Sequence, residues 1–274
     1  MVSGIETLVL ILGVRRSGTT LLNNLLCRGP GGHPHLAEAQ PLTRLLEALA
    51  WCEANYQTIS ADFFADAADF NTFGREICDA FIEHAGRACG EPQRLILKNP
   101  ELSLHTSKLL EFWPNAHVIA CVRDPRDQVA SEVLVEQRRA GGEFPVSKEQ
   151  IERLCATYSD YLDPVLAADR AAPGRIQFVR YEDVVREPKA TAQAVARRCG
   201  FELSVSHTEH WPDERNLLAR SAHLPAFVPL YGKPVTDERV GAGARLLTPE
   251  AISLIEKTLA PHFTRFGYER GAAS

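Results

Sequence analysis

Thr7-Leu-Val-Leu-Ile-Leu-Gly-Val-Arg-Arg-Ser-Gly-Thr-Thr20 passes from an apolar run into a polar turn bounded by Gly13 and Gly18, after which Leu21, Leu22, Leu25 and Leu26 recur at helical spacing. That order predicts a buried strand, a loop and a helix, the setting in which backbone N–H groups and the positive end of a helix dipole meet an anion. An ordinary turn with glycines serving backbone geometry is the plainer alternative. Two arginines and four small or hydroxyl residues within the turn favour the anion. Set against GxxxxGK(S/T), both glycines and Thr20 match, but Thr19 stands at the lysine position and the nearby cation is Arg16. In nucleoside-triphosphate enzymes that lysine reaches the terminal phosphates, and the hydroxyl binds Mg²⁺ with the help of a second acid. The only acid just after an interior strand is Asp124, and capping a helix opened by Pro125 explains it. A nucleoside or small-molecule kinase with a degenerate loop is therefore the runner-up, and no metal site is expected.

Working outward, further strands are expected at residues 94–97, 117–122 and 175–181, bounded by Gly, Pro and Asn signals. Helices are expected at 42–51, 61–88, 102–112, 148–170 and 183–199, the last stopped by Gly200, with another after Asp124 that turns Val129, Val133 and Leu134 inward. Thr248 and Pro249 open a final helix with Ile252, Ile255, Leu259 and Phe263 on one face. Strands alternating with helices imply a parallel sheet. The fold class expected is α/β: a P-loop-type parallel β-sheet flanked by helices, with a helical insertion after the first strand–helix unit, in a single domain of residues 1–274. The polar, Pro- and Gly-rich section 207–243 is too long for an ordinary connection and reads as a lid or binding loop.

With 45% hydrophobic residues the chain can bury a substantial core, and a formal net charge of -5 lacks the broad basic surface of a nucleic-acid or acidic-membrane binder. The seven cysteines stand singly, without CxxC spacing, as small buried hydrophobes of a reducing compartment do. The apolar run Leu8 to Leu12 is far shorter than the roughly 20 residues of a membrane span, and no charged segment precedes it as in a signal peptide. A soluble, cytoplasmic protein without nucleic-acid partner or membrane span is expected.

Arg16-Ser-Gly-Thr-Thr20 resembles the 5′-phosphosulfate loop of the sulfotransferase family that uses 3′-phosphoadenosine 5′-phosphosulfate (PAPS). A second element is similar too: a strand ending in Arg followed by a helix carrying Ser, here His117-Val-Ile-Ala-Cys-Val-Arg123 leading to Ser131. By the resemblance, Arg15, Arg16, Ser17, Gly18, Thr19 and Thr20 hold the phosphosulfate, while Arg123 and Ser131 bind the 3′-phosphate. Two such groups can converge on one phosphate through charge-assisted hydrogen bonds. Lys98, in Leu97-Lys-Asn-Pro100, resembles the catalytic lysine of tyrosylprotein and bacterial carbohydrate sulfotransferases. Residues 178–183 look like the family's later strand and helix, and Lys233 and Arg245 like its nucleotide-covering loop, so Tyr181, Lys233 and Arg245 are expected to help close the nucleotide site.

A hydroxyl that attacks sulfur must lose its proton to a His or carboxylate within reach. Glu38 sits where tyrosylprotein and trehalose-type sulfotransferases place a glutamate base; its plainer reading is a solvated acid at the start of a helix. His105 is the main rival. Many family members carry a His two residues after the lysine, where this chain has Pro100. The resemblance therefore implies direct, in-line sulfuryl transfer from PAPS to a hydroxyl acceptor, a small molecule or carbohydrate being favoured, with catalytic Lys98, Glu38 or His105, and Arg16. A nucleotide-binding protein without catalysis is a further alternative, against which Lys98 and Glu38 both speak. Trp51, Tyr56, Phe63, Phe64 and Phe70 read as core in preference to an acceptor pocket.

Overall fold

The structure, a computed structural model, describes residues 4–27, 29–203 and 234–271. Strands β1 (Thr7–Gly13), β2 (Arg94–Lys98), β3 (His117–Val122) and β4 (Ile176–Arg180) form a parallel sheet ordered β2-β1-β3-β4. Their near-continuous apolar sequences follow from burial on both faces. Alternate residues serve two layers. Val9, Ile11, Ile96, Ile119 and Val179 pack beneath α1 (Thr19–Cys27), α7 (Tyr181–Arg186) and α8 (Pro188–Arg198). Leu10, Leu12, Leu95, Leu97, Val118 and Ala120 face α2 (Gln40–Ala54), α3 (Ala67–Ala88), α4 (Thr106–Phe112), α5 (Pro125–Arg139) and α6 (Lys148–Ala171). Short helices α9 (Gly243–Leu246), α10 (Pro249–Thr258) and α11 (Ala260–Phe266) complete the second layer.

Helix starts follow the capping signals. Asp66, Asp124, Ser147 and Thr248 each accept a first-turn N–H with their side chains. Several expectations shift. The helix expected over 183–199 divides at Glu187, because Pro188 has no N–H to continue the ladder, and the final helix divides before Pro261. The helix expected from residue 61 starts only at Ala67, after a π-helical turn Tyr56–Ser60 and a 3-10 turn Ala61–Phe63. Residues 100–105 are a 3-10 turn ahead of α4, and Val135 is buried where Leu134 is only half-buried. Phe70 is core and Tyr56 and Phe64 pack against it, whereas Trp51 and Phe63 are exposed.

β2 lies at an edge of the sheet, yet the segment 31–39 covers its open side. Arg94 N–H donates to the Gly31 carbonyl (3.0 Å), Ile96 N–H to His33 Nε2 (2.9 Å), and Ala39 N–H to the Lys98 carbonyl (2.8 Å). His33 Nδ1 donates to the Pro34 carbonyl (2.7 Å), so its Nε2 is the acceptor and the ring is neutral. Burial pulls the His33 pKa down, with Arg94 adding to the effect against the Pro34 bond, and burial likewise lowers His105 and His117. The unfolded chain, with histidine values of about 6.5, then binds protons before the folded one does. Stability is full above that value and falls as pH drops below it. Denaturant midpoints are expected to fall between pH 7.5 and 5.5, with a shallower fall in His33→Gln; identical slopes for both proteins would rule His33 out as a contributor.

Candidate functional site

The expected anion loop, residues 13–18, lies at the carboxyl ends of β1 and β3 and leads into α1, whose first-turn N–H groups have no intrahelical partner. Gly13, at φ 139°, passes so close to β3 that a Cβ would lie 2.3 Å from the Cys121 carbonyl oxygen, and a Cβ on Gly18 would meet the Tyr181 ring at 2.7 Å. Only glycine fits either position. Arg16 itself has φ 65°, a left-handed conformation that costs a non-glycine residue about 1–3 kcal/mol. Its surroundings hold it there. Arg123 Nη1 donates to the Arg16 carbonyl (3.1 Å), Gln128 Nε2 to the Arg15 carbonyl (3.0 Å), and Arg16 Nε to Ser131 Oγ (3.3 Å). On the other side Ser103 Oγ accepts from Gly13 N–H (2.9 Å), and Ser17 Oγ donates to the Val14 carbonyl (2.6 Å).

The structure therefore brings Arg16, Arg123 and Ser131 around one turn. Arg123 is buried, stacks over the Tyr181 ring at 4.3 Å, donates through Nη2 to the Arg239 carbonyl (2.8 Å), and keeps a buried Nε with no hydrogen-bond partner. An orphaned guanidinium N–H beside a glycine turn and a helix start is a fitting donor set for a phosphate. Arg15 instead points to Glu101 (2.8 Å) and is half-exposed.

Lys98 ends β2, and its buried ammonium donates to Thr20 Oγ1 (3.0 Å) and Glu38 Oε1 (2.9 Å). Glu38 precedes the Ala39 cap of α2, so it is neither in the helix nor simply solvated: the Ala39 N–H to Lys98 carbonyl bond sets it beside the lysine, half-exposed. Burial pulls the Lys98 pKa down and Arg16 adds to the effect, while Glu38 opposes both. His105 ends the 3-10 turn with a buried Nε2 that has no hydrogen-bond partner; its charged neighbours are Glu47 and Glu101, and it makes no bond to Lys98 or Glu38. Arg245 donates to the carbonyls of Glu238 (2.6 Å) and Val240 (3.5 Å), which shapes the segment beside Arg123. Lys233 lies outside the described residues.

Several residues that sequence reasoning passed over build this geometry. Asp127, buried in the first turns of α5, accepts Gly241 N–H (2.8 Å) and Gly243 N–H (2.7 Å), one on each carboxylate oxygen, and thereby clasps residues 239–243 to the helix that follows Arg123. Asp124, Asp127, Gln128 and Ser131 recur at helical core spacing, a polar stripe where apolar residues are usual, and that stripe was the available signal. Glu132 is pushed up by burial against the pull of Arg16 and Arg15, which places a carboxylate near the loop cations. Asp127→Ala leaves two N–H groups without their charged acceptor and is expected to cost about 2–4 kcal/mol in denaturant unfolding. Asp127→Asn, which keeps one acceptor oxygen, is expected to lose less; equal stability of all three proteins would refute the clasp.

Among the described residues, no group of three or more His, Cys, Asp or Glu could hold a metal ion, and no helix is long and apolar enough to cross a membrane. The family model described as the sulfotransferase family matches residues 9–205. A chain from Caenorhabditis briggsae named as a protein-tyrosine sulfotransferase is 26% identical over 217 residues, covering 77% of this chain and 71% of that one. Carbohydrate sulfotransferase 1 of Mus musculus is 28% identical over 140 residues, 46% of this chain and 34% of its own length. The solved sulfotransferase domain from the curacin biosynthetic pathway superposes with a TM-score of 0.64 at 13% identity, covering 97% of this chain and 99% of that domain, a likeness of fold.

Proposed function

The chain belongs to the sulfotransferase family, whose members use PAPS, and from that premise we propose that it transfers a sulfuryl group to a hydroxyl of a small metabolite or carbohydrate. The observation that carries this reading is Lys98, a buried cation bonded at once to Thr20 of the anion loop and to Glu38. PAPS, when bound, supplies the sulfuryl group. Arg16, the loop and the first-turn N–H groups of α1 bind the phosphosulfate end, and Arg123 with Ser131 binds the 3′-phosphate. Tyr181 backs the loop beneath Arg123. Lys98 Nζ holds positive charge where negative charge grows on the departing side, the kind of fixed electrostatic support that contributes most when it needs no reorganisation. Glu38 takes the acceptor's proton at its carboxylate.

The Lys98–Glu38 pair gives these roles an order. Before anything binds, each neutralises the other, so the buried ammonium is never unpaired. An incoming anion on the loop competes for Lys98 and leaves the Glu38 carboxylate to the acceptor. Gln40, Arg44 and Glu101 form a polar network close behind Glu38, through Gln40 Nε2 to Glu101 (2.9 Å) and Arg44 to Glu101 (3.4 Å), a lining suited to a hydroxyl-rich acceptor. Likeness to both a protein-tyrosine and a carbohydrate enzyme makes phenols the second acceptor class to offer.

Calorimetric titration tests the donor site. Adenosine 3′,5′-bisphosphate is expected to bind the metal-free protein tightly and ATP with Mg²⁺ weakly; the reverse preference would overturn the reading in favour of a kinase. Turnover with PAPS against panels of sugars, small alcohols and phenols then tests the acceptor class, and activity confined to phenols would overturn the carbohydrate preference.

A further inference from the structure

At the amino ends of β3 and β4, away from the anion loop, a cavity of about 260 Å³ opens between His117, Arg175, Gln177 and Arg198. We propose that it binds an oxyanion of the phosphate class. The strand register pairs Ile119 with Gln177, so His117, Arg175 and Gln177 face the same side of the sheet as Ile119 and Val179, the side on which α8 ends at Arg198. Three basic groups thus meet at one opening. Arg198 Nη2 donates to the Gly174 carbonyl (3.2 Å), but Arg175 Nη2 and Gln177 Oε1 are buried with no partner.

Among the described residues, Arg175, Arg198 and His117 have no acidic partner. Burial lowers the His117 pKa first and Arg175 and Arg198 lower it further, with no carboxylate opposing them. Arg198 has an explanation of its own, since a cation in the last turn favours the helix dipole. Arg175 has none: it precedes a strand, and a buried guanidinium N–H left unmade costs more than the bond itself contributes. Hydrogen phosphate suits the lining of this opening, because its oxygens accept from the guanidinium groups of Arg175 and Arg198 and its P–O–H donates to the Gln177 amide oxygen. The volume is below the roughly 300–1,000 Å³ of pockets for drug-sized ligands, which suits free phosphate or the phosphate end of a larger molecule. Six residue steps of about 3.3 Å lead from His117 to Arg123, so the two sites are about 20 Å apart.

Calorimetry with inorganic phosphate, in the full chain already holding one equivalent of adenosine 3′,5′-bisphosphate, reads the site directly. One phosphate per chain is expected, with affinity reduced tenfold or more in Arg175→Gln and in Arg198→Gln. Thermal unfolding checks that each variant folds, and Arg198, being exposed, carries the test if Arg175→Gln does not. Absence of phosphate binding, or full affinity in both variants, would overturn the proposal. Excess adenosine 3′,5′-bisphosphate separates the sources: a second equivalent lost in Arg175→Gln and in Arg198→Gln identifies a nucleotide phosphate as occupant, and a single equivalent identifies free phosphate.

Discussion

Lys98→Met is expected to lower kcat by about 10²–10³-fold, the usual effect of removing one preorganised charge-stabilising group, while leaving the affinity for adenosine 3′,5′-bisphosphate within a few-fold. Nothing in this substitution should unfold the protein. Methionine is unbranched and of similar length, it removes a desolvated ammonium, and the carboxylate it leaves behind at Glu38 is half-exposed and can be hydrated. The thermal midpoint is therefore expected to hold or rise while turnover collapses. That combination separates chemistry from packing. Unchanged kcat would remove Lys98 from the mechanism, and loss of nucleotide affinity equal to the loss of rate would make it a binding residue.

Arg123→Ala is expected to weaken adenosine 3′,5′-bisphosphate binding by about 100-fold or more, measured calorimetrically. A charge-assisted hydrogen bond is worth about 1.5–3 kcal/mol, and this guanidinium offers several at once. The same side chain also holds the Arg16 carbonyl, the Arg239 carbonyl and the face of Tyr181, so its removal loosens the loop as well as the phosphate contact. Arg123→Lys should recover little, because an ammonium has no planar fork and cannot reach the two carbonyls and a phosphate together. Affinity within threefold of the parent in Arg123→Ala would remove this residue from nucleotide recognition.

The strand–loop–helix unit was legible because its period changes abruptly at Gly13 and again after Gly18. Arg123 and Lys98 each close a strand, but strand position alone left a lysine there as readily solvated as functional, and the reading of Lys98 came from the resemblance. Glu38 could be nominated only by resemblance: its position depends on Ala39 meeting Lys98 across the edge of β2, a contact with 58 residues of intervening sequence that no local pattern encodes. Ser103, Asp127 and Gln128 escaped for a different reason. A buried polar residue looks like a surface one in sequence until its partner is known, and the partners here are backbone groups of distant loops. The division at Pro188 was written in the residue itself and was overridden by the apolar spacing on either side.

The strap over β2 has a consequence for how this protein can change. Residues 31–39 are tied to the strand at both ends, whereas the chain beyond α2 departs over the helical layer and returns only at Arg94. The proposed proton acceptor and lysine thus belong to a fixed chassis. Residues 55–90 carry none of these ties but do carry core: Phe70, Cys78 and Ile82 pack into the main apolar cluster, so a graft there has to refill that volume while the bonds of Lys98 to Thr20 and Glu38 stay as they are.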